Sequence, residues 1–457
     1  MNYLTEAYVD SLALNSSAIK NGKDLVKKNS FPLLCQSEDG TIIFGECKGS
    51  GKDPYRCSVD GQKEGSPVFR CTCPSRQFPC KHNLGLMYAF TSGKTFVTAP
   101  VPQDIVDKRE KAEKREEKKK EAADSDAGIS IAEKLILQLV TSGLGSLDKK
   151  ALQTADEQAK QLGNYYIPGI QAALRGVTLQ FRADDTREAL YPIVIEQLTT
   201  LQSLIKKSRE YLNSRLENPD LPIDSESTVE EWIGHAWQIA ELREQGRVRR
   251  DAELLQLAFR SYSDQARGEF IDEGYWSDLH NGQIHLTRTY RPFRAAKHIR
   301  EEDSIFQVVQ ASELAQYPGE LNTRVRWEEA TFREANPSDF QKVIATAHRS
   351  FPEVIKQVKN LIKNPLSDKH PVALLHFAEM KKTSASYVLL DEQGKQLPLA
   401  DIAHLSEATT SLLPMLHKGL LQNQALLVMF EHNWKQNRLE AQPLSIVTAN
   451  EVVRLLY

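Results

Sequence analysis

Cys71, Cys73, Cys80 and His82 fall within a dozen positions of a 457-residue chain that has just 6 cysteines. They form two tight pairs, Cys71-x-Cys73 and Cys80-x-His82, in the stretch FRCTCPSRQFPCKHNLGLMYAF that starts at Phe69. Three thiolates and one imidazole complete a tetrahedral donor set for zinc, and copper(I) would also accept the thiolates. Three sulfurs with one nitrogen favour Zn2+. Four local donors favour a closed structural site over a catalytic one, which keeps a position open. Read as ordinary buried cysteines, the four would have no reason to pair at this spacing. A Cys-x-Cys disulfide would be badly strained.

The flanking residues say how such a cluster is held. Val68 and Phe69 favour extended backbone, and Pro74 stops the strand. Alternate side chains of a strand share a face, so Cys71 and Cys73 point the same way. Leu84, Met87 and Tyr88 recur at helical spacing, which puts Cys80 and His82 at the start of a short helix. PSRQFP, bounded by Pro74 and Pro79, reads as a rigid loop between the pairs. The unit is a strand, a turn and a helix with the metal at the corner.

The pattern C-x-C-x(6)-C-x-H, with Pro74 after the first pair and CKH at the second, resembles the SWIM zinc finger. The strand-like stretch from Ile42 to Pro74 and the upstream ALNSSAIKNGKDLVKK are similar to the segments that precede the ligands in bacterial SWIM proteins. The motif covers 41–91, with weaker similarity to Val177. The resemblance implies a small ββα-type finger domain over 1–100 that binds protein partners or DNA. Bacterial members are often encoded beside MoxR-type AAA+ ATPases and von Willebrand A-type proteins. It therefore implies a partner of that kind.

Composition narrows the function. The chain is 40% hydrophobic and 26% charged, as a globular protein is, and long enough for two or three domains. Its 58 basic and 61 acidic residues leave a net charge of -3, so no global field draws nucleic acid. Locally the balance reverses: no acid lies between Gly65 and Gln103. Arg70, Arg76 and Lys81 sit on or beside the cluster as candidate contacts for phosphate or an acidic protein patch, with Phe78 and Tyr88 available for stacking. A partner-binding module is the preferred reading and nucleic-acid binding the alternative. No P-loop, G-x-S-x-G or H-E-x-x-H occurs, so no enzyme is expected. The N-terminus lacks a secretory pattern, and no apolar run nears the ~18 residues of a membrane span. A cytoplasmic location is expected, where thiols stay reduced.

The rest of the chain reads as an α+β multidomain protein. Residues 101–127 form a charged linker whose Glu/Lys spacing permits a solvated helix ended by Gly128. A helical domain spans 128–268, with Ile131, Leu135, Leu139 and Val140 near one face and a break at Pro168. Ser227-x-x-Glu230 reads as a capping box opening a helix that ends at Gly246. Its apolar face is Trp232, Ala236, Ile239 and Ala240. Arg247, Arg249 and Arg250 then sit at a helix C-terminus. Residues 269–457 form a mostly antiparallel α+β domain, sheet or small barrel, with a hairpin signal at Asn281-Gly282. His280, His285, His370 and His376 read as chance pairs. Cys35, Cys47 and Cys57 read as small buried hydrophobes.

Overall fold

In a computed structural model of the chain, the described residues are 1, 3–49, 53–62, 66–75, 78–181, 187–298, 302–383, 386–433 and 436–456. They divide into two compact units, Met1–Glu117 and Lys118–Tyr457.

The first unit runs α1 (Glu6–Leu12), α2 (Ser16–Lys27), β1 (Leu33–Gln36), β2 (Ile42–Cys47), β3 (Tyr55–Asp60), β4 (Val68–Cys71), α3 (Lys81–Thr91) and β5 (Val97–Thr98). Thr5 and Asn15 cap α1 and α2 with their side-chain oxygens. The strands form one sheet in the order β4-β3-β2-β1-β5, antiparallel except where β5 joins β1. Helix α3 is buried from His82 to Ala89, because Leu84, Leu86, Met87 and Tyr88 leave it no polar face to show water. It shares a core with Val9, Ile43 and Val59. Gly22 lets α2 approach: a Cβ there would stand 3.0 Å from the Leu84 Cβ. The expected strand–turn–helix is present, but as the corner of a five-stranded α/β unit rather than as a bare ββα motif.

Helix α4 (Gln103–Ser142) occupies the stretch read as a linker and runs through Gly128, its first part in one unit and its remainder in the other. Gly128 serves packing instead of ending the helix. A Cβ there would lie 2.6 Å from the Tyr165 Cβ. The buried face is Ile129, Ala132, Leu135, Ile136 and Leu139. Val140 is exposed and Ile131 half-buried, so the stripe is rotated from the predicted one. Helices α5 (Lys149–Gln161), α6 (Pro168–Gln180) and α7 (Arg187–Glu217) complete this bundle. Pro168 stands in the first turn of α6, where no amide bond is lost.

The helix predicted after Ser227 is two short ones, α8 (Val229–Trp232) and α9 (Ile239–Glu244). Gly234 parts them at φ +103°, where a Cβ would collide with the Tyr166 carbonyl at 1.9 Å. Ser227 is not the cap; Thr228 is, and Glu230 turns inward to Arg215 at 2.9 Å. Strand β6 (Val248–Asp264) starts well before residue 269, so the helical reading ran too far. Arg249 and Arg250 lie on β6 and Arg247 just ahead of it. Arg247 pairs with Glu226 at 2.9 Å, and Arg249 pairs with Asp278.

With β7 (Glu269–Asp278), β8 (Ile284–Pro292), β9 (Val308–Gln316), β10 (Val325–Arg326) and β11 (Ala330–Arg333), β6 builds an antiparallel sheet in the order β10-β9-β6-β7-β8, with β11 also on β9. The Asn281-Gly282 hairpin forms between β7 and β8. Helices α10 (Pro337–Thr346) and α11 (Phe351–Lys363) follow. The last sheet is β12 (Val372–Lys382), β13 (Tyr387–Leu390), β14 (Gln396–Leu399), β15 (Gln422–Asn433), β16 (Arg438–Val447) and β17 (Val452–Arg454). It closes on itself where Leu399 of β14 meets Ala441 of β16. Leu255, Leu257 and Tyr275 of one sheet pack on Leu374, Leu427 and Leu444 of the other. Among the described residues no helix is long and apolar enough to cross a membrane.

Candidate metal centre

Strand β4 delivers Cys71 at its last position, and Cys73 lies just beyond it. Cys80 is the N-cap of α3, and His82 sits in its first turn. The four ligand atoms lie within 4.8 Å of one another. His82 Nδ1 is 3.7 Å from the Cys71 sulfur and 3.8 Å from the Cys80 sulfur. With Zn–S bonds of about 2.3 Å, a tetrahedron has edges of about 3.8 Å. The sequence therefore brings all four predicted donors together in a set able to hold one metal ion.

Asn83, fully buried, fixes the corner, and sequence reading missed it. Its Nδ2 donates to the carbonyls of Ser58 on β3 (3.0 Å) and Arg70 on β4 (2.9 Å). Its Oδ1 lies 3.0 Å from the Cys80 sulfur and 3.4 Å from the Cys80 amide. One side chain thus ties both strands to the start of α3. Tyr55 packs on the His82 ring at 5.0 Å. Cys71 hydrogen-bonds the Cys80 sulfur and draws it toward thiolate, aided by His82. The same contact and burial push the Cys71 thiol up. A bound cation would take the place of the shared proton.

The candidate contact residues fare differently. Arg70 pairs with Asp60 at 3.4 Å, and Arg109 reaches the same carboxylate at 3.0 Å. Lys81 is exposed at the first position of α3. Arg76 lies outside the described residues. Tyr88 donates to Asp10 at 2.6 Å and is buried in the core, so it offers no stacking face. Phe78 is exposed and lines a cleft of about 430 Å³ with Phe44, Phe69 and Ile105. Cys35, Cys47 and Cys57 are buried, and burial raises all three thiols.

The larger unit holds a second concentration of ionic side chains. Arg260 grips Glu273 through Nε and Nη2 at 3.0 and 2.8 Å. Arg288 reaches Glu273 at 2.5 Å and Asp368 at 3.1 Å. Arg260 also donates to His404 Nε2 at 2.8 Å, and that ring stacks on His370 at 3.7 Å. His370 in turn faces Glu431 at 3.3 Å. The chain of contacts ties both sheets together at the wall of a cleft of about 830 Å³. Each of these charges has a partner, so the network is accounted for as architecture. His376 stands apart, beside Glu392, and His280 and His285 both face Asp278. Among the described residues no second metal-ligating cluster forms.

No family model and no curated protein matches this sequence. A solved structure of a murine DNA-binding protein bound with double-stranded DNA aligns at 8% identity, covering 45% of this chain and 96% of that one, with a TM-score of 0.20. A likeness that slight bears on neither fold nor function.

Proposed function

We propose that residues 1–100 form a zinc-stapled, SWIM-type finger whose role is to hold a protein partner. The carrying observation is the cluster of Cys71, Cys73, Cys80 and His82, with all four donors within 4.8 Å. Four protein ligands leave no open position, so the ion staples a strand end to a helix start and does no chemistry. A protein partner is favoured over nucleic acid because Asp60 offsets the charge of Arg70, leaving Lys81 as the exposed member of the described candidates. The Phe44–Phe69–Phe78 cleft offers apolar surface flanked by Arg56 and Asp104. The resemblance makes an AAA+ ATPase or a von Willebrand A-type protein the partner class to try first.

Elemental analysis should find one zinc per chain in the parent and little in Cys73→Ser. Full zinc in that variant would remove the staple. Binding to a purified AAA+ or von Willebrand A-type candidate should weaken in Phe78→Ser and in Cys73→Ser. Duplex DNA binding that falls steeply with salt and is lost in Lys81→Ala would instead establish the nucleic-acid reading.

A further inference from the structure

Cys57 is not one of the four ligands, yet the fold sets it directly across from one of them. Cys57 on β3 and Cys71 on β4 are antiparallel partners. The next pair along, Arg56 and Thr72, is hydrogen-bonded, with the Thr72 amide 3.0 Å from the Arg56 carbonyl. Pairs alternate along an antiparallel ladder, so Cys57 and Cys71 form a non-hydrogen-bonded pair. In such pairs the Cα atoms approach to about 4.5 Å, within the range of about 4.4–6.8 Å that a disulfide spans. Side chains directly across a ladder share a face, and both cysteines contribute to the same core.

Their exposures differ in a way that orders events. Cys71 is half-exposed while Cys73, Cys80 and His82 are buried. A dissolved oxidant therefore meets the Cys71 sulfur first. Cys57 is buried and donates to the Gly45 carbonyl at 3.5 Å, so the dissolved oxidant does not reach it.

We infer that Cys57 is a resolving thiol for Cys71, so that peroxide converts the metal centre into a cross-strand disulfide and expels the ion. This rests on the zinc reading above. The Cys71 thiolate attacks hydrogen peroxide, breaking the O–O bond, and becomes the sulfenic acid while hydroxide leaves. The Cys57 sulfur then attacks the Cys71 sulfur. The S–O bond breaks, and the Cys57 proton joins the departing hydroxide as water. Together the two sulfurs give up two electrons, and one peroxide becomes one water and one hydroxide, which takes a proton from solvent to give the second water. Cys73 and Cys80 are still held by the ion at that moment, whereas Cys57 is free to react. With Cys71 withdrawn, three donors remain and the ion is released.

The test uses the zinc-loaded full chain treated with hydrogen peroxide. Peptides are mapped without reduction, and released zinc is read with a chelating dye. The expected result is a Cys57–Cys71 linked peptide, with one zinc released per cross-link and taken up again after a thiol reductant. Cys57→Ala should still lose zinc to peroxide but fail to regain it, because Cys71 proceeds to the irreversible acids. Cys71 joined instead to Cys73 or Cys80, or full zinc recovery in Cys57→Ala, would overturn the inference and leave the metal reading intact. A parent chain that holds no zinc would overturn both.

Discussion

Asn83 reaches Cys80 from inside the helix that Cys80 begins: its Oδ1 is 3.0 Å from the Cys80 sulfur, while its Nδ2 spans the carbonyls of Ser58 and Arg70. This makes one amide the hinge pin of the centre. Asn83→Ala would remove both of these hydrogen bonds, at about 0.5–1.5 kcal/mol each. Loss of an orienting partner typically lowers metal affinity about 10–100-fold. Chelator competition should show that drop, with all four ligands still present.

Two glycines should respond to the same substitution with opposite sign. In a helix interior, Gly→Ala stabilises by about 1 kcal/mol. At Gly176, in α6, nothing lies within 4 Å of the added carbon, and Gly176→Ala should be stabilising. At Gly128 the carbon meets Tyr165 at 2.6 Å and Ile167 at 2.9 Å. Overpacking costs about 1–3 kcal/mol, so Gly128→Ala should destabilise the larger unit. Urea unfolding of both variants measures the contrast.

Glu273 makes stability depend on acid. Burial alone would raise its carboxyl, but Arg288, Arg260 and the Tyr275 hydroxyl hold it down to about 2. A carboxyl lowered in the folded state stabilises above its unfolded value of about 4.3. That contribution is lost as pH falls toward 2. Glu273→Gln leaves the buried Arg260 guanidinium without its carboxylate and Arg288 with Asp368 alone, and should cost about 3–5 kcal/mol at pH 7. The gap between parent and variant should narrow below pH of about 4.3, as unfolding curves from pH 7 to 3 would show.

Arg70 and Lys81, equal as basic candidates in the sequence, should separate on mutation. Arg70→Ala removes one of two cations from the buried Asp60 carboxylate and should cost about 1 kcal/mol of stability in the first unit. Lys81→Ala touches an exposed side chain and should stay within about 0.5 kcal/mol. Thermal unfolding of each full-length variant compares them.

The metal ligands could be read from the sequence because their geometry is local: a strand end and a helix start, a few residues apart. Asn83 could not, since an asparagine in a first helical turn has the look of ordinary capping. The signal was there in one respect, because an amide buried in an otherwise apolar helix must find partners. The ion network was hidden for another reason. Arg260, Glu273 and Arg288 meet through strand register, and the register depends on loop lengths that the Asn281-Gly282 signal leaves open. His370 and His404 meet through tertiary packing alone. The α4 stripe was misplaced because Gly128 was taken as a stop. In the fold it is a contact point, and the helix continues with its phase intact through Ile129 and Ala132.

The closure of the last sheet has a kinetic side. Leu399 and Ala441 join β14 to β16 through a single paired position, reinforced by the Ala400 amide on the Ala441 carbonyl at 3.0 Å. Every other seam of the ring is an antiparallel ladder of several residues. The β12–β15 ladder closes an equally long loop but gains a whole row of pairs, whereas this seam sets a single pair against the same closure entropy, so it is the last to form as the chain folds. It is also the first place where the ring can open. Amide exchange at Ala400 should therefore outpace that of the β12–β15 ladder, and an opened seam would expose two strand edges that the closed ring keeps from pairing with other chains.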